Sequence, residues 1–138
     1  MLEKLLSEDF GTTEDYNCAE KIVYGANKVY NLGLDKNALK LSAGFGGGMG
    51  IESVCGALTG SIIVLSSLYV KDIAHESDKI KQLTQQLLAS YQKEMGSINC
   101  DALKDRYRTP ELKCQKVILA AAKILDNIIA QEKISTAK

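Results

Sequence analysis

Residues 44–60 read Gly44-Phe45-Gly46-Gly47-Gly48-Met49-Gly50-Ile51-Glu52-Ser53-Val54-Cys55-Gly56-Ala57-Leu58-Thr59-Gly60. Seven of the chain's eleven glycines fall here, with one of its four cysteines. A glycine run weakens helices and strands, so it needs a geometric reason: backbone with φ > 0, or very close approach of a ligand or another segment. We read it as a tight loop delivering Cys55 to the start of a buried helix. Ser53 is the expected N-cap, and the helix expected from Val54 to about Asp72 is the most apolar in the chain. Leu58, Ile62, Ile63, Val64, Leu65, Leu68 and Tyr69 wrap most of its circumference, which places it centrally in a bundle. Gly56 and Gly60 form a small-xxx-small pair that lets a neighbouring backbone come close.

Outward from this helix the periodicity stays helical. Residues 2–9 make a short amphipathic helix ended by Gly11. Asn17, with Glu20 three residues on, is a capping box, and the helix behind it carries Ala19, Ile22, Val23, Ala26, Val29 and Tyr30 on one face to about Leu32. Asp35 caps a shorter helix to about Ala43. Ser77 or Glu76 opens another, with Ile80, Leu83, Leu87, Leu88, Tyr91 and Met95 as its stripe and Gly96 as its stop. A brief turn holds Cys100, Ala102 and Leu103. Thr109-Pro110-Glu111 is a strong helix start, and the final helix frays into Ser135-Thr136-Ala137-Lys138. No stretch alternates with period two for long enough to make a strand. The expectation is a compact all-α bundle of about five helices, with residues 1–138 as a single domain.

The chain has 138 residues and zero formal net charge, with Lys and Arg scattered among Asp and Glu. Clustered positive charge, which drives binding to nucleic acid or anionic membranes, is absent. The apolar run from Gly56 to Val70 is broken by Thr59, Ser61, Ser66 and Ser67 and is shorter than the about 20 residues a membrane span needs. The N-terminus lacks the apolar stretch of a signal peptide. A reducing, cytoplasmic setting follows, where four cysteines serve more readily as metal ligands or redox thiols than as structural disulfides.

Every cysteine falls near an expected helix start. Cys18 follows Asn17, Cys55 is two residues after Ser53, Cys100 follows Asn99, and Cys114 lies in the second turn after Thr109. A helix N-terminus offers free N–H groups and about half a positive charge, and there a thiol pKa falls below its usual ~8.5. Metal ligation and thiol–disulfide exchange both require such a thiolate. The same residues also fit as small buried hydrophobes. The spacings of 37, 45 and 14 residues contain no CxxC and match no zinc-finger, ferredoxin or thioredoxin pattern.

Four single cysteines, the second inside Cys55-Gly56-Ala57-Leu58-Thr59-Gly60, resemble the family labelled C_GCAxxG_C_C after its cysteine pattern, to which a redox role is ascribed. The resemblance extends from Asn17-Cys18-Ala19 through Cys114. The label writes GCA where this chain reads Cys55-Gly56-Ala57, so the motif is taken as CGAxxG. The resemblance implies a small helical protein whose functional residues, catalytic or metal-ligating, are Cys18, Cys55, Cys100 and Cys114. Related domains occur joined to cytochromes, which brings an iron–sulfur cluster or another thiolate-bound metal into consideration as cofactor. Gly46, Gly47, Gly48 and Gly56 are then the positions where a cofactor would approach the backbone.

The glycine run lacks the Gly-Lys-Ser/Thr ending of a phosphate loop and the strand that precedes a dinucleotide fingerprint. His75, the lone histidine, lies in a polar segment and reads as solvated. Three functions stay open: a redox or electron-transfer protein, by metal cluster or by dithiol/disulfide cycling, with an unidentified redox partner; a thiolate metal carrier or sensor without turnover; and a helical interaction module with inert cysteines. A homodimer through one helix face is also consistent with the apolar content.

Overall fold

The computed structural model describes residues 1–137, in which seven α-helices and no strand are found; Lys138, the end of the expected frayed tail, lies outside the described residues. The helices are α1 (Leu2–Ser7), α2 (Cys18–Tyr30), α3 (Lys36–Leu39), α4 (Gly56–Tyr69), α5 (Lys79–Met95), α6 (Cys100–Tyr107) and α7 (Gln115–Ala137). The count exceeds five because the segments 36–39 and 100–107, expected as minor, are helices in their own right. None of the described helices is long and apolar enough to cross a membrane.

The core is built from α1, α2, α4, α5 and α7. Leu2, Leu6, Ile22, Leu58, Leu65, Leu87, Tyr91, Leu125 and Ile129 are among its largest fully buried side chains, with Leu103 added from α6. Helix α4 is central, as its all-round apolarity requires. Its approach to α2 depends on Gly60, where a Cβ would stand 2.9 Å from the Ala19 carbonyl oxygen. Ser61, a buried polar residue of α4, is satisfied by donating to the Ala57 carbonyl at 2.7 Å. A further close contact comes from Gly25: a Cβ there would meet Leu2 Cδ1 at 2.8 Å, so α1 lies flat on α2.

Capping follows the sequence in several places. Asn17 accepts from the Glu20 amide at 2.9 Å and Glu20 returns a bond to the Asn17 amide at 2.9 Å, closing the box. Asp35 caps α3 through the Ala38 amide. Gly96 ends α5 with φ 86°. Elsewhere the boundaries move. Helix α2 stops at Tyr30, with left-handed Asn31 as its C-cap; Gly33, also at positive φ (72°), follows two residues later. Helix α5 begins after Asp78, with Ser77 Oγ accepting from the Lys79 amide.

Two expected helix starts are not starts. Ser53 closes a five-residue π-type turn, Gly48–Glu52, donating its amide to the Gly48 carbonyl at 3.0 Å. Gly47, Gly48, Met49 and Gly50 are consecutively left-handed, with φ between 62° and 74°, and Glu52 follows at 56°. A right-handed helix cannot begin until this run ends, so α4 starts at Gly56. At Thr109-Pro110-Glu111 the chain makes a tight turn instead: Thr109 and Lys113 exchange backbone hydrogen bonds, and Thr109 Oγ1 accepts from the Leu112 amide at 3.0 Å. Lys113 is left-handed at φ 51°, which delays α7 to Gln115.

Candidate functional site

These shifted boundaries bring Cys55 and Cys114 closer to their helix starts than the sequence indicated and leave Cys18 and Cys100 where it put them. Cys18 is the first residue of α2 and Cys100 the first of α6; Cys55 is the N-cap of α4; Cys114 immediately precedes α7. All four are free thiols and all four line one cleft of about 450 Å³.

Three local devices assemble the cleft. First, the starts of α4 and α6 are stitched side by side. The Cys55 amide donates to Ile98 O at 2.8 Å, the Cys100 amide donates to Ser53 O at 2.6 Å, and Val54 pairs with Asn99 in antiparallel fashion. Second, the glycines make room. A Cβ at Gly56 would fall on the Cys18 sulfur and 2.8 Å from the Phe45 carbonyl, and one at Gly48 would stand 2.9 Å from Cys100 Cβ. Gly46 abuts the Asn17 side chain, whose amide donates to Ala43 O at 2.9 Å. Of Gly46, Gly47, Gly48 and Gly56, Gly47 lines the cleft; the other three are pressed against protein neighbours. Third, Gln115 Nε2 donates to Leu6 O at 2.8 Å, holding the start of α7 against α1 beside Cys114.

The thiols differ in access. Cys55 and Cys100 are buried, whereas Cys18 and Cys114 are half-buried. Helix starts were expected to depress the thiol pKa values, and the structure corrects this for three of the four. Burial pushes Cys55 up to about 12, and the neighbouring Cys18 adds to the rise while the Ala57 and Leu58 amides oppose it. Burial also raises Cys100, against the pull of Lys104. Cys114 is raised by burial and by Cys18, with Arg108, Lys104 and Lys21 pulling down. Desolvation penalises the charged form more than the helix ends reward it. Behind the cysteines stands Tyr91, fully buried, its hydroxyl donating to Val117 O at 3.1 Å; burial and the nearby Cys55 raise its pKa.

Sequence reading missed the cations. Lys21, Lys104, Arg108 and Lys113 line the same cleft. A signal for them exists: Lys21 is three residues after Cys18 and Lys104 four after Cys100, the spacing that stacks side chains on one helix face. Lys104 also reaches Glu52 on the glycine turn at 3.2 Å. His75 is exposed and does not line the cleft.

A family profile described as "Putative redox-active protein (C_GCAxxG_C_C)" matches residues 16–128. The chain belongs to this family. The matched region takes in all four cysteines and the CGAxxG motif. No curated protein and no solved structure matches the chain.

The fit of a metal or cluster can be judged from the donors. Among the described residues, no three side chains of His, Cys, Asp or Glu are grouped so as to hold a metal ion. The four thiols share a cleft without closing into a metal cage, and we derive no step through a metal or cluster.

Proposed function

We propose that this member of the C_GCAxxG_C_C family is a thiol–disulfide redox protein, with Cys18 and Cys114 as its cycling pair. The observation that carries the reading is the convergence of four free thiols, from four separate helix starts, on one cleft. Exchange needs a thiol that an external disulfide can reach and a second thiol within reach of the first. Cys18 and Cys114 are the two that reach the surface. Cys18 also acts electrostatically on each of the other three thiols, which suits it to resolve a mixed disulfide. Cys55 and Cys100, buried and held protonated, support the walls and stay reduced.

In the forward direction Cys114 attacks an external disulfide as thiolate. Cys18 then attacks the Cys114 sulfur, releasing the second external thiol and leaving a Cys18–Cys114 disulfide. The surrounding cations favour the attacking thiolate, and burial keeps its population small at neutral pH.

The test is a thiol count with peptide mapping on anaerobically prepared protein, before and after mild disulfide oxidant. Loss of two thiols, mapped to Cys18 and Cys114 and restored by reductant, is expected. Protein that emerges coloured with stoichiometric iron, or with tightly held zinc or copper, would instead mark a metal-centred role. Four thiols that resist oxidation would leave the cysteines as packing residues.

A further inference from the structure

The two half-buried thiols are held in different ways. The Cys18 sulfur sits where a Gly56 side chain would begin. The same point lies 2.8 Å from the Phe45 carbonyl oxygen and 3.2 Å from Gly46 Cα. Gly46 in turn has no room for a side chain, because Asn17 fills that space. Asn17 is itself fixed, its Nδ2 donating to Ala43 O and its Oδ1 accepting from the Glu20 amide, both at 2.9 Å. The start of α2 is thus clamped between residues 43–46 and the start of α4, with the Cys18 sulfur seated in a notch that two glycines leave open. Cys114 has no such seat. No glycine position touches it, and it follows residues 110–113, all of them exposed. Its sulfur is the one that meets a molecule arriving from solvent.

We propose that Gly56, with Gly46 behind it, is the positioning residue that fixes the order of attack: the notch withholds the Cys18 sulfur from an external disulfide and keeps it for a sulfur already bonded to Cys114. The proposal rests on the thiol–disulfide reading above and adds the residue that enforces its sequence of steps. Exchange depends on access to the attacking sulfur, and backbone closes one side of Cys18. The Cys114 thiolate bonds to one sulfur of RS–SR as the S–S bond breaks, and one RS⁻ leaves and takes a proton. Cys18 then gives up its proton and bonds to the Cys114 sulfur as the Cys114–SR bond breaks, and the second RS⁻ takes that proton. Two protein thiols are oxidised, one external disulfide is reduced to two thiols, and two protons pass from protein to product. A side chain at position 56 would push the Cys18 sulfur off its seat and loosen both halves of this order.

The experiment follows the full, reduced chain with one equivalent of hydroxyethyl disulfide, quenched with acid over time and mapped by peptide mass. In the parent the mixed disulfide should appear on Cys114 and then give way to Cys18–Cys114. In Gly56→Ala mixed disulfide should appear on Cys18 as well, and the ratio of the closing rate to the first-step rate should fall about tenfold or more, since a displacement of about 1 Å at a reacting group costs up to about 10²-fold. Gly25→Ala is the control for destabilisation alone. It crowds Leu2 Cδ1 at 2.8 Å, two turns along α2 from Cys18, and should leave the ratio at the parent value. Circular dichroism checks folding. Two further variants test the order without touching the glycines: Cys18→Ser should stop at the mixed disulfide on Cys114, and Cys114→Ser should react at least tenfold more slowly than Cys18→Ser. First attack by Cys18 in the parent, equal rates in the two serine variants, or a ratio that Gly56→Ala leaves unchanged or Gly25→Ala lowers as much, overturns the role of the notch and leaves the redox pair standing. Absence of a Cys18–Cys114 disulfide in the oxidised parent overturns both.

Discussion

The two ends of the bundle handle polar groups in opposite ways. At one end Asp126, on α7, is saturated. Its carboxylate accepts from the Met1 ammonium and from the Leu2 and Glu3 amides, each at 3.0 Å, and from the Tyr30 hydroxyl at the end of α2. One side chain thereby satisfies the first turn of α1 and ties it to α2 and α7. At the other end, where α2, α4, α6 and α7 begin, four thiols face a cleft whose lining also holds, among the described residues, three cations (Lys21, Arg108, Lys113) and three acids (Asp9, Asp15, Glu111) without an ion pair. Buried polar groups are normally paired. The Asp126 end obeys that rule and reads as structure. The cysteine end holds its reactive groups in reserve, which is what a site for an incoming molecule requires.

The comparison can be pressed with pH. The folded-state pKa of Cys55 is about 12 against an ordinary value of 9.0. A thiol raised on folding favours the folded state at pH values below its unfolded pKa, and that contribution drains away as pH rises through the folded value. Between pH 9 and 12 roughly 4 kcal/mol should be lost on this account, at 1.36 kcal/mol per unit. Chemical denaturation across this range should show a fall that Cys55→Ala reduces. Burial also raises Tyr30 and Tyr91, so the variant retains part of the slope.

Filling the close approach at the cysteine end is the next largest perturbation. Gly56→Ala sets a methyl against the Cys18 sulfur and the Phe45 carbonyl. Overpacking of this kind costs about 3 kcal/mol, read as a lower urea midpoint, and it should also change the alkylation rate of Cys18. At the opposite end Asp126→Asn should cost about 2 kcal/mol, because several charge-assisted hydrogen bonds weaken together. Thermal melting checks the loss. Alkylation of the four cysteines in the folded protein should stay at its parent rate, since distant sites act independently; a change would show that the ends are coupled. Smallest of all, Glu52→Gln removes an exposed ion pair with Lys104 and should cost under about 0.5 kcal/mol.

Much of this was legible in the chain. The Asn17–Glu20 pair announced where α2 begins, because a capping box needs both side chains at that spacing. The apolar wrap of α4 announced its central place, and the Gly56/Gly60 pair the close approach of a neighbouring backbone, though not that α2 supplies it at Gly60. Four cysteines at four helix starts pointed to one site. What escaped was set by tertiary context. Thr109-Pro110-Glu111 has the composition of a helix start, yet a left-handed Lys113 turns it into a tight turn. Helix ends suggested acidic thiols, yet burial, invisible along the chain, raises Cys55, Cys100 and Cys114. The cations beside the sulfurs became meaningful only once the fold set Arg108 and Lys113 in the same cleft as Lys21.

Four helices begin at the cleft and run away from it. Each helix carries about half a positive charge at its start and the opposite at its end, and α7 alone, at 23 residues, stretches for about 35 Å at 1.5 Å per residue. Four sets of helix-start amides thus converge on one cleft, and their effect is confined to the first turn of each helix. A molecule that enters the cleft therefore meets oriented backbone N–H groups together with the sulfurs, and feels neither from a distance.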